Sequence, residues 1–137
     1  MVVMQVVYKG EKHCELTHGP SGSVIETDAP KDNNGRGEKF SPTDLMGAAL
    51  GSCVLTTMAI MAEKDSGTID LRGARARVVK EMNPNPRRIA RLPVEVEMPK
   101  GIKPEDRKRL EAAAHTCPVH RSLHPDVQAP ITFVYPD

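Results

Sequence analysis

Between Ser41 and Lys64 the chain reads SPTDLMGAALGSCVLTTMAIMAEK, and this stretch decides the fold. Ser41 suits an N-cap, Pro42 the first helical position, and Asp44, three residues after the cap, can reach back to the Ser41 amide. The eighteen residues from Leu45 to Ala62 carry no charged side chain. A run of that length touches the lower edge of membrane-spanning size, about 17–25 apolar residues. Gly47, Gly51, Ser52, Thr56 and Thr57 interrupt it, no Trp or Tyr borders it, and strand-like segments flank it. It therefore reads as a central helix buried all round in a soluble domain, running to about Lys64 and stopping before Gly67. Gly47 and Gly51 lie four apart on one face, so another element can approach closely there. The expected neighbour is a second helix or a second subunit.

Working outward, Val2–Tyr8, His13–His18 and Ser23–Thr27 read as three strands, joined by turns at Gly10 and at Gly19-Pro20-Ser21-Gly22. The polar segment 30–39 (PKDNNGRGEK) has no periodicity and is expected to be a loop. Beyond the helix, Ile69–Lys80 and Ile89–Met98 read as one pair of strands connected through Asn83-Pro84-Asn85-Pro86. The second alternates, with Leu92, Val94, Val96 and Met98 inward and Arg91, Glu95 and Glu97 outward. Pro93 in it suggests a sheet edge. Pro104 opens a helix with Glu105 and Asp106 in its first turn, where they complement the dipole, and with Leu110, Ala113 and Ala114 as an apolar stripe. Pro118 disfavours helix at Cys117, so this helix should end near Thr116 and a short one restart at Pro118. Ile131–Tyr135 closes the chain as a strand. The order βββ-α-ββ-αα-β is that of an α+β fold, a largely antiparallel sheet around the long buried helix, in one domain over residues 1–137.

Charge and composition narrow the function. The 19 basic and 18 acidic residues leave a net charge of +1, and aromatic residues make up 3% with no Trp. Neither a basic field nor base-stacking side chains are present, which argues against nucleic acid and against an anionic membrane surface. The three cysteines are an odd number, and no cationic n-region follows Met1. A cytoplasmic, reducing compartment is expected, where paired thiols are more often redox-active or metal-binding than structural.

Cys53 and Cys117 sit in different electrostatic settings. A thiol reacts as thiolate and needs a nearby cation or helix end. Cys53 lies about three turns past Ser41, beyond the reach of its own helix dipole, so its cation must come from elsewhere. Arg36 is the nearest candidate in sequence, with Arg72, Arg75, Arg77 and Arg121 also open. Cys117 precedes Pro118 at a cap position and has His115 and His120 close by, so local physics alone favours it as nucleophile. A metal reading of Cys117, His115, His120 and His124 lacks the second ligand pair of a structural zinc site, and no metal is expected. His13, Cys14 and His18 read as sheet residues.

The stretch Phe40-Ser41-Pro42-Thr43-Asp44-Leu45-Met46-Gly47-Ala48-Ala49-Leu50-Gly51-Ser52-Cys53 and, 64 positions after Cys53, Cys117-Pro118-Val119-His120-Arg121-Ser122-Leu123 resemble the two signatures of the OsmC/Ohr family. The resemblance extends from about Ser23 to the C-terminus. It implies an intertwined homodimer with two sites at the subunit interface, and thiol-dependent reduction of organic hydroperoxides in an oxidative stress response. By the same resemblance Cys53 is peroxidatic and Cys117 resolves it through a disulfide, with an external dithiol reductant and no bound cofactor. This reverses the assignment that local electrostatics suggests. The resemblance also implies a Glu on the first helical turn that partners the active-site arginine. Thr43 occupies that position here, and Asp44 follows about 100° around the helix. Arg36 is assigned to the thiolate by loop position, and Asp44 as its partner or simply as the partner of Ser41. The alternative is a non-catalytic relative that binds a small apolar or acyl ligand or senses redox state. An acyl or thiol transferase ranks last, since no oxyanion-hole signature is visible.

Overall fold

A computed structural model describes residues 1–65 and 68–136 of the 137. The chain divides into two compact units, Met1–Met46 and Gly47–Asp137.

In the first unit β1 (Met4–Gly10), β2 (His13–His18) and β3 (Val24–Asp28) form an antiparallel meander in that order. The β1–β2 turn needs the left-handed region, with Gly10 at φ 91°, and Glu11 and Lys12 follow it there at 54° and 61°. The period-two register places Met4, Val6, Tyr8, Cys14, Leu16 and Ile25 on one face. The opposite face carries Gln5, His13, Glu15, Glu26 and Asp28 together with Val7 and Val24. The three expected strands are therefore present, within two residues at each end. Segment 30–39, expected to be a loop throughout, contains one 3-10 turn at Lys31–Asn33, closed by the Asn34 amide on Lys31 O.

Helix α1 spans Pro42–Lys64. Its start is a reciprocal capping box: the Ser41 amide donates to Asp44 Oδ2 at 2.9 Å and the Asp44 amide to Ser41 Oγ at 3.1 Å. The expected stop before Gly67 lies outside the described residues. Among those residues α1 is the one helix long and apolar enough to cross a membrane by length and composition. It instead contributes Leu50, Val54, Met58 and Ala62 to the core of the second unit. Its burial is one-sided rather than all round, for Ser52, Thr56 and Ile60 face outward.

The second unit has a three-stranded sheet in the order β4 (Arg75–Val78), β7 (Val94–Glu97), β8 (Ile131–Val134). β4 and β7 are antiparallel, whereas β7 and β8 are parallel. A separate hairpin joins β5 (Glu81–Pro84) to β6 (Arg87–Arg91). The expected pair of long strands is thus four shorter ones. Pro93 marks the break, and it does not mark an edge, since β7 is the central strand. The amides either side of Pro93 are both used, Leu92 donating to Gln128 O at 2.8 Å and Val94 to Pro130 O at 2.9 Å. The amide that proline lacks falls where the ladder passes from β5 to β4, and there Pro93 O accepts from the Val79 amide at 3.1 Å.

Leu92, Val94, Val96 and Met98 are inward as expected and meet the buried face of α1. Helix α2 (Pro104–Ala114) adds Leu110 and Ala114, and α3 (Pro118–Ser122) follows Cys117. The glycine face of α1 meets the sheet rather than the second helix or subunit expected. A Cβ on Gly51 would lie 3.0 Å from Val78 Cγ2 and 3.5 Å from Ala76 Cβ, while one on Gly47 would meet only ordinary contacts at 3.5 and 3.6 Å. The two glycines should therefore respond differently. Gly47→Ala should raise stability by up to about 1 kcal/mol through helix propensity, whereas Gly51→Val should cost about 1–3 kcal/mol by overpacking. Urea denaturation of the two variants tests this contrast.

Candidate functional site

Cys53 is carried by the middle of α1, where the uncharged apolar run holds the helix against the sheet. Four residues on, Thr57 returns to the same face, and its hydroxyl lies 3.8 Å from Cys53 Sγ. Cys117 is positioned by proline chemistry. α2 ends at Ala114, and Cys117 is held extended at φ −55°, ψ 128° ahead of Pro118. There it acts as the N-cap of α3, its sulfur accepting the His120 amide at 3.4 Å. The Cys117 side chain is fully buried, whereas Cys53 is half-exposed.

Cys53 and Cys117 are both free thiols, and each bears on the other's ionisation. Burial opposes ionisation of Cys53, but hydrogen bonds from the Cys117 thiol, the Val119 amide and the Thr57 hydroxyl more than offset it. The Cys53 pKa consequently lies below the ordinary thiol value. Burial pushes the Cys117 thiol up, and the neighbouring Cys53 raises it further. The accessible sulfur is thus the better thiolate and the buried one its proton donor. The order of the two pKa values is opposite to the one that local position alone gives Cys117. His115 Nδ1 lies 2.9 Å from Glu111 O and His120 Nε2 3.0 Å from Ala129 O, so these rings brace the chain around Cys117.

No guanidinium is among the groups that lower Cys53. Arg36 belongs to the first unit, where it lies 3.2 Å from Glu11 and 3.5 Å from Asp28. Arg72 pairs with Asp70 at 2.7 Å. Asp44 has one carboxylate oxygen on the Ser41 amide, and Thr43 Oγ1 lies 3.2 Å from Ser41 Oγ. The sequence reading missed the Val119 amide and the Thr57 hydroxyl. The i, i+4 spacing from Cys53 was a signal for Thr57, while a backbone donor such as Val119 has none. His13, Cys14 and His18 do lie on β2, but His13 also bridges Asp28 at 2.6 Å and Glu26 at 3.0 Å. Among the described residues no three His, Cys, Asp or Glu side chains group as a metal set.

An open groove of about 620 Å³ runs between α1 and α2. Thr57 and Thr116, neighbours of the two cysteines, line it together with Ile60, Met61 and Ala113, and the ion-paired Arg109 and Asp65 border it. An apolar chain lying in it would have its length along the helices and one end near the thiols.

The donors to Cys53 can be separated by alkylation kinetics. Iodoacetamide labelling of Cys53 should rise with pH through an inflection below that of an ordinary thiol. Cys117→Ala, which removes a donor, should move that inflection up and slow labelling at neutral pH severalfold, and Thr57→Val should do the same to a smaller degree. Cys117→Ser, which keeps a hydroxyl donor, should stay closer to the unsubstituted chain.

Comparison with known proteins bears on this site. A sequence model described as OsmC-like protein matches residues 35–131. The crystal structure of a Psychrobacter arcticus 273-4 protein, described as an osmotic stress induced and detoxification response protein, is 36% identical, with a TM-score of 0.91 over 98% of this chain and 96% of that one. The organic hydroperoxide resistance protein OsmC from Legionella pneumophila is 15% identical, with a TM-score of 0.73 over 97% and 96% of the two chains. For the OsmC like protein from Mycoplasma pneumoniae the values are 16%, 0.79, 98% and 96%. At these last two identities the likeness is one of fold. A comparison with curated proteins produced no match. The matched segment contains both cysteine motifs, and the chain belongs to the OsmC-like protein family.

Proposed function

We propose that this chain is a thiol-dependent peroxidase for organic hydroperoxides. The observation that carries the proposal is the asymmetric thiol pair, an accessible Cys53 with lowered pKa beside a buried, protonated Cys117. The Cys53 thiolate attacks the terminal peroxide oxygen, the O–O bond breaks, and the alkoxide takes a proton to leave as an alcohol, giving Cys53 sulfenic acid. The Cys117 sulfur then displaces hydroxide from that sulfenic acid, so that the disulfide forms and the thiol proton leaves in water. An external dithiol reduces the disulfide and is itself oxidised, and no bound cofactor takes part. The apolar groove beside Thr57 and Thr116 favours an alkyl hydroperoxide over hydrogen peroxide, because burial of the organic tail contributes free energy.

The same reading takes the functional unit to be a homodimer in the cytoplasm. Met4, Val6 and Tyr8 are 66%, 61% and 65% exposed on one sheet face in the single chain, an apolar surface of the kind that marks a partner. The resemblance to the OsmC/Ohr family implies a second copy of this chain as that partner. Sedimentation should accordingly find a dimer, and Val6→Asp should shift it towards monomer. The three unpaired cysteines suit a reducing compartment. Arg36 is retained as the cation that assists the thiolate, with Asp44 as a candidate partner for it.

A second reading, a ligand-binding or redox-sensing relative without turnover, is favoured by Thr43 in place of the family glutamate. The two separate in one assay. With cumene hydroperoxide and a dithiol the chain should consume peroxide, Cys53→Ser should abolish turnover, and Cys117→Ser should accumulate Cys53 sulfenic acid detectable by mass spectrometry. Equal, negligible consumption by the unsubstituted chain and Cys53→Ser would establish the binder instead. For Arg36 the expected outcome is slower alkylation of Cys53 in Arg36→Ala at neutral pH, and an unchanged profile would remove Arg36 from the thiol chemistry.

A further inference from the structure

The His13 face of the first unit holds a second set of titratable groups, separate from the thiol pair. Its centre is Asp28, whose side chain is 1% exposed. Asp28 Oδ2 accepts the Lys39 amide at 3.1 Å, and the Asp28 amide donates to Phe40 O at 3.1 Å, so this residue ties down the end of the segment that carries Arg36. Asp28 Oδ1 is shared unequally by His13 and Arg36. His13 Nδ1 lies 2.6 Å from it, a strong hydrogen bond, while Arg36 Nη2 stands at 3.5 Å, an ion pair too long for a good one. The other His13 nitrogen lies 3.0 Å from Glu26, and Arg36 Nη1 lies 3.2 Å from Glu11.

We propose that His13 and Arg36 compete for Asp28, so that the proton on His13 sets how tightly Arg36 is held. A protonated His13 donates to both Asp28 and Glu26 and offsets the buried carboxylate, which leaves Arg36 loosely paired. A neutral imidazole has one N–H and cannot donate to both. The Asp28 charge is then no longer balanced at Oδ1, and Arg36 is drawn in to replace the lost cation. The charged groups around His13 all bear on this exchange. Glu26 comes from β3 and Glu15 stands opposite it in the β2–β3 register. Glu11 and Lys12 come from the β1–β2 turn, with Lys12 Nζ on Asn34 O at 2.8 Å, and Lys39 Nζ lies 3.5 Å from Glu26.

The direction with pH follows from these contacts. The hydrogen bond to Asp28, against some desolvation and with help from Glu26, holds the His13 pKa above its usual 6.5. Asp28 is held below the usual carboxylate value, chiefly by the same bond. The doubly charged His13–Asp28 pair is therefore complete at and below about pH 6.5 down to the carboxylate range, and is lost as pH rises through the raised His13 value. Arg36 tightens over that same upper interval. This inference stands apart from the peroxidase reading. Where Arg36 serves the Cys53 thiolate, it adds a proton-controlled release of that arginine, and only this consequence rests on the reading above.

The test uses the full chain with isotope-labelled arginine and histidine, following the Arg36 guanidinium and the His13 ring by NMR across pH 5 to about 9, with Arg36→Lys to assign the signal. The Arg36 signal should shift with the same midpoint as His13, and in His13→Gln, which can donate to Asp28 but not titrate, that inflection should vanish. Asp28→Asn should remove the inflection as well. An Arg36 signal that stays flat while His13 titrates, or an inflection that survives in His13→Gln, would overturn the proposal. Because the readout is the guanidinium itself, it is judged independently of whether Arg36→Ala alters Cys53 alkylation.

Discussion

The close seating of α1 on the β4 side of its sheet is the constraint on which the second unit depends. Gly51 leaves room for Val78 and Ala76, and the helix then delivers Leu50, Val54, Met58 and Ala62 to the inward row Leu92, Val94, Val96 and Met98. Each of the larger side chains, once buried, contributes roughly 1.5–3 kcal/mol of transfer free energy. The same seating fixes the rotation of α1 about its axis. With one face committed to the sheet, Cys53 is left at its margin, half-exposed and turned towards α3. The Cys53 sulfur is thus placed by packing, not by polar contacts of its own.

A second constraint acts through the chain's prolines. Pro118 disfavours continuation of α2 and makes the preceding cysteine a cap, its sulfur accepting the His120 amide while the Val119 amide favours the Cys53 thiolate. Two unrelated local rules, helix packing on one side and proline sterics on the other, therefore converge on one pair of atoms. Neutral donors lower the Cys53 pKa, while burial and the neighbouring Cys53 raise that of Cys117. Burial on one side and hydrogen-bond donors on the other produce the asymmetry, and neutral donors stabilise an anion most where water is scarce.

Much of this is legible in the sequence. Ser41, Pro42 and Asp44 spell out a helix start in side-chain chemistry, and the capping box follows. The alternation from Leu92 to Met98 identifies its buried face for the same reason, since period two is a property of side chains. What escaped were features that live in the backbone or in long-range pairing. Val119 contributes an amide, which every residue but proline has. The parallel pairing of β8 with β7 leaves no local trace in either strand. Pro93 suggests an edge because a missing donor is usually tolerated there, whereas in the fold it coincides with a change of ladder partner. His13 looked like a strand residue because the carboxylates that hold it, Glu26 and Asp28, come from the next strand and are defined only by register.

One sulfur atom in this fold has two occupations. Cys117 Sγ is a hydrogen-bond acceptor for the His120 amide as well as a thiol. Any covalent change at that atom redirects its lone pairs and pulls on the opening of a five-residue helix whose far side is braced by His120 on Ala129 O. A new bond at Cys117 Sγ would therefore be felt in the backbone between Cys117 and Ala129, because one atom serves both as a thiol and as the cap of that helix.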